Sequence, residues 1–139
     1  MESAVLGKTP VQTSTQSVGI CLGASTFSLV EVESRNGEVK VINKVVVAHD
    51  GDPKGTFTRI IDAYDLAGKH VTLTGRKFRD LTNLPSIIEP EATESAFQFL
   101  YPEQDRFDAV VSAGGESFLV YEMDKKGKVS RISSGNKCA

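Results

Sequence analysis

The sequence has no surplus of either charge, few cysteines and no long apolar run, and each shortage excludes something. Sixteen Lys and Arg against 18 Asp and Glu leave a formal net charge of −2, so no field attracts DNA, RNA or an anionic membrane. No apolar stretch approaches the roughly 18 residues of a membrane span. Met1-Glu2-Ser3-Ala4-Val5-Leu6-Gly7-Lys8 has neither the basic flank nor the apolar core of a secretory signal. A cytoplasmic protein with neither nucleic-acid nor membrane partners is expected. The two cysteines, Cys21 and Cys138, are far apart and read as thiols rather than a disulfide framework. The two histidines, His49 and His70, have no ligand-type residue at metal spacing, so a solvent-facing or hydrogen-bonded histidine is the better reading.

What remains is sufficient for one ordinary domain: 139 residues, 40% apolar and 24% charged. Residues 1–16, rich in Ser, Thr and Gln, show no periodicity and read as a flexible leader. Val18-Gly19-Ile20-Cys21-Leu22 is an apolar run without alternation, as in a strand buried on both faces, with Cys21 as a small core residue. Gly23-Ala24-Ser25-Thr26 turns the chain, Phe27 to Glu33 alternates as a half-buried strand, and Asn36-Gly37 marks a hairpin into a strand from Val39 to Ala48.

A helix follows, with Asp52 as N-cap, Pro53 in its first turn, Phe57, Ile60, Ile61 and Tyr64 at helical spacing, and Gly68 as its end. Val71 to Thr74 is a short strand broken by Gly75, and 76–81 suits a short helix. A second long helix spans Pro90 to Leu100 with Ala92, Ala96 and Phe99 on one face. Strands are expected at 107–112, 116–124 and 129–133, with Lys125-Lys126-Gly127-Lys128 as a solvated hairpin tip. The order is βββ-α-β-α-β and then a second ββ arm.

The pattern strand, Gly turn, strand, hairpin, strand at 18–48 recurs at 107–133. Both first turns are built of small residues: Gly23-Ala24-Ser25-Thr26, and Gly114-Gly115-Glu116-Ser117 after Ala113. Such turns expose successive backbone amides that a phosphate can approach closely. A pair of them, one from each lobe, suits a nucleotide gripped from two sides. Glu89, Glu91 and Glu94 gather at a helix N-terminus and complement its dipole. Arg76 and Arg79 suit either an anion or a wet helix face.

Several segments resemble the ATPase activators of 2-hydroxyacyl-CoA dehydratases and the related benzoyl-CoA reductase ATPase subunits. Gly19 to Thr26 is similar to that family's Gly-Ile-Asp-Ile-Gly-Ser-Thr-Thr, and Thr74-Gly75-Arg76 to its Thr-Gly-x-Gly-Arg. Val110 to Ser117 resembles its Ile-Ile-Asp-Ile-Gly-Gly-Gln-Asp, and Asn136-Lys137-Cys138-Ala139 its Asn-Asp-Lys-Cys-Ala. The resemblance implies an α/β chain: a ribonuclease H-like ATPase lobe at 17–106, then the first strands of a second such lobe at 107–139. It implies ATP with Mg²⁺ at Gly23, Ala24, Ser25, Thr26, Gly114, Gly115, Glu116 and Ser117. Cys138 would be a ligand of a four-iron, four-sulfur cluster shared by a homodimer. ATP-driven electron transfer to a dehydratase or reductase subunit would be the function of the intact parent.

The family's acids are missing: its first-loop aspartate falls on Cys21, and those of the second loop on Ser112 and Ser117. A thiol or hydroxyl does not replace a carboxylate on Mg²⁺, so binding is expected to outlast hydrolysis. The second cluster ligand would lie beyond Ala139, so no cluster is expected in this chain as given. Two alternatives stay open: a non-catalytic docking or dimerisation domain, and a sugar or metabolite kinase, which lacks a suitably placed aspartate here.

Overall fold

The computed structural model describes residues 14–75, 82–102, 107–114 and 118–135. Along the chain these form β1 (Ser14–Leu22), β2 (Thr26–Arg35), β3 (Glu38–Ala48), α1 (Pro53–Ala63), β4 (His70–Thr74), α2 (Glu89–Leu100), β5 (Ala109–Ala113), β6 (Phe118–Met123) and β7 (Val129–Gly135). The first four strands make a sheet of order β3-β2-β1-β4, with β4 parallel to β1 and the other pairs antiparallel. The last three form a separate antiparallel meander, β5-β6-β7.

Strand β1 is interior, but only one of its faces is covered. Val18, Ile20 and Leu22 are buried while Gly19 and Cys21 are exposed. The expectation of a strand buried on both faces, with Cys21 in the core, is therefore corrected. The pleat sends alternate side chains to opposite faces, and the helix that packs here, α1, covers the Ile20 side. The strand also begins at Ser14, inside the expected leader, because Ser14, Thr15 and Gln16 pair with Arg35, Ser34 and Glu33. Backbone pairing needs no apolar side chain, which is why a polar stretch concealed it.

The core joins Val18, Ile20, Leu22, Phe27, Leu29 and Leu73 of the sheet to Ile60 of α1, with Phe57, Ile61 and Tyr64 packed around them. Glu31 lies opposite Val18 on this face, only 8% exposed, and is ion-paired with Lys69. A carboxylate so placed is tolerated because its partner accompanies it out of water. Asp52 caps α1 by accepting the Gly55 amide at 2.9 Å. The helix ends at Ala63, before the expected stop at Gly68. Asp65 accepts the Ala67 amide at 3.0 Å, a local turn that competes with helix continuation, and Gly68 takes φ +74° within it.

Helix α2 forms close to expectation, yet no residue of it is buried, and Ala96 and Phe99 are exposed. Its C-terminal half faces Val30, Val41, Ile42, Asn43 and Lys44 of β2 and β3 across an open groove of about 740 Å³, without closing on them. Among the described residues strand β3 is an edge of its sheet, and a bulge at Ile42 interrupts its pairing with β2 between Glu31 and Val32. Phe107, expected in a strand, instead meets Phe97 and Tyr101 edge-on at 5.6 and 5.3 Å. The leader residues 1–13 and the short helix expected at 76–81 lie outside the described residues. Among the described residues no helix is long and apolar enough to cross a membrane.

Gly75 ends β4 at φ +125°, and a Cβ there would lie 2.4 Å from the Leu22 carbonyl oxygen. Gly75→Ala is expected to cost more than about 2 kcal/mol through strain and backbone collision. Urea unfolding should show a lower midpoint at an unchanged m value. A midpoint equal to the parent's would show that the two backbones can separate freely.

Candidate functional site: the strand turns and the adjoining cleft

The first small-residue turn is fixed by its own backbone and by one side chain from β3's end. Gly23 donates its amide to the Thr26 carbonyl at 3.1 Å, and a Cβ on Gly23 would come within 2.6 Å of that same oxygen. A side chain is thus excluded where the turn is tightest. His49, 8% exposed, stacks at a tilt on Phe27 with ring centroids 5.2 Å apart. Its Nε2 donates to the Ala24 carbonyl at 2.7 Å, and its backbone amide donates to the Ser25 carbonyl at 3.1 Å. Two carbonyls that would repel an anion are thereby engaged from within the protein. His49 is the hydrogen-bonded histidine of the two sequence alternatives, while His70 is exposed at the start of β4.

The second turn occupies the equivalent place in the second meander. Leu22 pairs with Phe27 across the four residues 23–26, and Ala113 pairs with Phe118 across the four residues 114–117. In both strand pairs four residues separate the last paired positions, and a phenylalanine opens the second strand's pairing. Gly114 is exposed at the end of β5; Gly115, Glu116 and Ser117 lie outside the described residues, as does Cys138.

A cleft of about 390 Å³ opens between the two sheets. Gly75 and the start of α2 (Ile88, Glu89, Pro90) form one wall, and Leu119, Tyr121 and Ile132 of the second sheet form the other. Leu73 guides the chain from β4 to this wall. Its amide donates to the Pro85 carbonyl at 2.8 Å, and its carbonyl accepts the Ile87 amide at 2.9 Å. Cys21 stands beside Thr74 on the open face of the first sheet, flanked by β2 and β4. Its thiol pKa is raised, first by the desolvation of this setting and second by the nearby Glu89 carboxylate. At neutral pH the group is a protonated thiol, a weak nucleophile and a poor ligand for a hard cation.

Glu89 is the acid that sequence reasoning passed over, having assigned it to the helix dipole alone. Only the parallel pairing of β4 with β1, followed by the short return to α2, brings its charge to Cys21. Among the described residues no group of three or more His, Cys, Asp or Glu side chains is arranged to hold a metal.

No family model and no curated protein matches the chain. Solved structures do. The activator of the 2-hydroxyisocaproyl-CoA dehydratase from Clostridium difficile, with bound ADPNP, is 15% identical at a TM-score of 0.64, over 91% of this chain and 47% of that one. An exopolyphosphatase from Cytophaga hutchinsonii is 17% identical at 0.63, over 88% and 51%. A Ppx/GppA enzyme from Aquifex aeolicus is 14% identical at 0.59, over 88% and 52%.

This chain shares the α/β fold of these structures, a lobe built on the four-stranded sheet followed by the three-stranded sheet of a second. At such identities the likeness concerns the fold alone, and the chain spans about half the length of these structures.

Because Glu89 opposes the thiolate, Glu89→Gln in a Cys138→Ser background should accelerate maleimide labelling of Cys21 at pH 7. The expected gain is about two- to five-fold, the size of a modest pKa release. A rate equal to that of Cys138→Ser alone would remove the carboxylate from the neighbourhood of the sulfur.

Proposed function

We propose that this chain is a nucleotide-binding module of the ATPase fold that holds ATP through backbone amides and hydrolyses it weakly. The observation that carries this reading is the first turn: Gly23 lets it close tightly on the Thr26 carbonyl, and His49 engages the carbonyls of Ala24 and Ser25. The same reading assigns the second grip to Gly114, Gly115, Glu116 and Ser117, of which Gly114 is exposed at the end of β5. That a protein of the same fold carries ADPNP is consistent with a nucleotide here.

The residues present fit a triphosphate better than its metal. Cys21 offers a protonated thiol, and among the described residues Glu89 is the one carboxylate lining the cleft. Mg²⁺ would enter chiefly on the phosphates, and its chemistry there is to neutralise charge and orient water. In the fuller reading, the module belongs to an activator that passes an electron to a dehydratase or reductase subunit, with Cys138 contributing to a cluster completed outside this chain. Homodimerisation is part of that reading.

A second reading, a docking or dimerisation domain that keeps the fold without turnover, is favoured by a separate observation. Val41, Ile42, Phe99 and Leu100 are all exposed along the groove between α2 and β3. Large apolar side chains gathered in this way commonly mark an interaction surface.

Millimolar ATP is expected to raise the melting temperature by about one degree or more, with little dependence on Mg²⁺. Cys21→Asp should make the shift depend on Mg²⁺, because it places a carboxylate beside Glu89. A flat response to ATP with and without Mg²⁺ would sink the nucleotide reading and leave the docking domain.

A further inference from the structure

Sheet two and helix α2 meet at two places: the apolar cleft at the helix's first turn, and a polar contact farther along. At the second, Glu94 Oε1 accepts the Val129 amide at 2.7 Å, and Oε2 accepts Lys128 Nζ at 2.9 Å. Val129 opens β7 where the ladder with β6 is irregular: Met123 pairs with Val129, but Glu122 pairs with Arg131. Ser130 is the extra residue, and its hydroxyl donates to the Glu122 carbonyl at 3.0 Å. Bulges re-aim the groups beside them, and here the neighbouring amide bonds to the helix.

The hairpin that presents these donors is itself ordered. The Asp124 carboxylate accepts the Lys126 and Lys128 amides at 2.7 and 2.9 Å, and its backbone amide donates to the Lys128 carbonyl at 2.8 Å. With no residue of α2 buried, little apolar packing competes with this contact in setting the angle between helix and sheet.

We propose that Glu94 is a latch that holds the β6–β7 hairpin on α2 and thereby sets the width of the cleft between the two sheets. Calling it a positioning residue for nucleotide rests on the function proposed above; the latch itself does not. Glu89 on the cleft wall and Glu94 lie five positions apart on one helix, about 7.5 Å along its axis at 1.5 Å per residue. Tyr121, fully buried, stands on the opposite wall. Release at Glu94 should therefore be felt at Tyr121.

The latch also has a pH sense. The Glu94 carboxyl is held below its ordinary pKa, first by the Lys128 hydrogen bond and then by the Val129 amide, against slight desolvation and the Asp124 charge. Lys128 is raised in turn, first by the hydrogen bond to Glu94 and then by that carboxylate's charge, with Glu91 and Asp124 adding to it. A depressed carboxylate stabilises fully above its ordinary range, and the contribution is lost as pH falls through the depressed value. The contact is thus closed at neutral pH and opens on acidification.

The full chain labelled with 3-fluorotyrosine, without nucleotide, tests this: its three tyrosines, Tyr64, Tyr101 and Tyr121, give three assignable fluorine signals. In Glu94→Ala the Tyr121 signal should move toward its solvent-exposed position while Tyr64 stays fixed. Exchange of the Val129 amide should accelerate at least about tenfold. Glu94→Gln, which keeps an acceptor, should fall between, and acidifying the parent should reproduce the change. An unmoved Tyr121 signal in Glu94→Ala overturns the proposal. So does a variant in which all three tyrosines change together, since Glu94 would then merely support the fold. Failure of the parent protein to bind ATP would instead count against the nucleotide reading and leave these outcomes untouched.

Discussion

The close approach of two backbones at Leu22 and Gly75 is the constraint on which the first lobe depends. Parallel pairing of β1 with β4 carries both strands to the same end of the sheet, where the chain must leave in two directions at once. One exit is the small-residue turn at residues 23–26, and the other is the path to α2. A side chain at Gly75 would occupy the space of the Leu22 carbonyl, so the two exits can lie together only because that side chain is missing. The turn, Cys21 and the cleft wall are neighbours as a result of this one contact.

Helix α2 joins the two halves without belonging fully to either. Its first turn lines the cleft, its middle holds the second sheet through Glu94, and its last turn enters an aromatic cluster with Phe107. None of these contacts buries a residue of the helix. The relation between the sheets is therefore governed by directional contacts more than by bulk apolar adhesion. Such contacts fix geometry well, and they respond to a single proton or substitution in a way that a packed core does not.

Local chemistry made much of the fold legible in the sequence. Asn36-Gly37 marked its hairpin, Asp52 and Pro53 marked a helix start, and the repeated meander was visible as apolar runs broken by small residues. Facts set by register were hidden. Nothing near His49 indicates that it will cap the carbonyls of Ala24 and Ser25, because that depends on where β3 ends relative to β1. Cys21 looked like a core residue because an apolar run gives no sign of which face a helix will cover. Glu94 looked like one of three interchangeable acids at a helix start, and only the bulge beside Val129 distinguishes it. For the candidate site, the first turn was read directly from its small residues, whereas the nearby acid, Glu89, depended on tertiary placement.

The bulge at Ile42 has a bearing on how this protein meets other copies of itself. A long edge strand such as β3, rich in valine, invites strand addition that repeats without end. Ile42 breaks the regular spacing of amides and carbonyls along that edge, and Lys40 and Lys44 place like charges on either side of the break. An incoming strand would meet a template that is out of step at its middle. The surface is left open to side-chain contacts of limited extent, while the route to a fibre is obstructed by one residue too many.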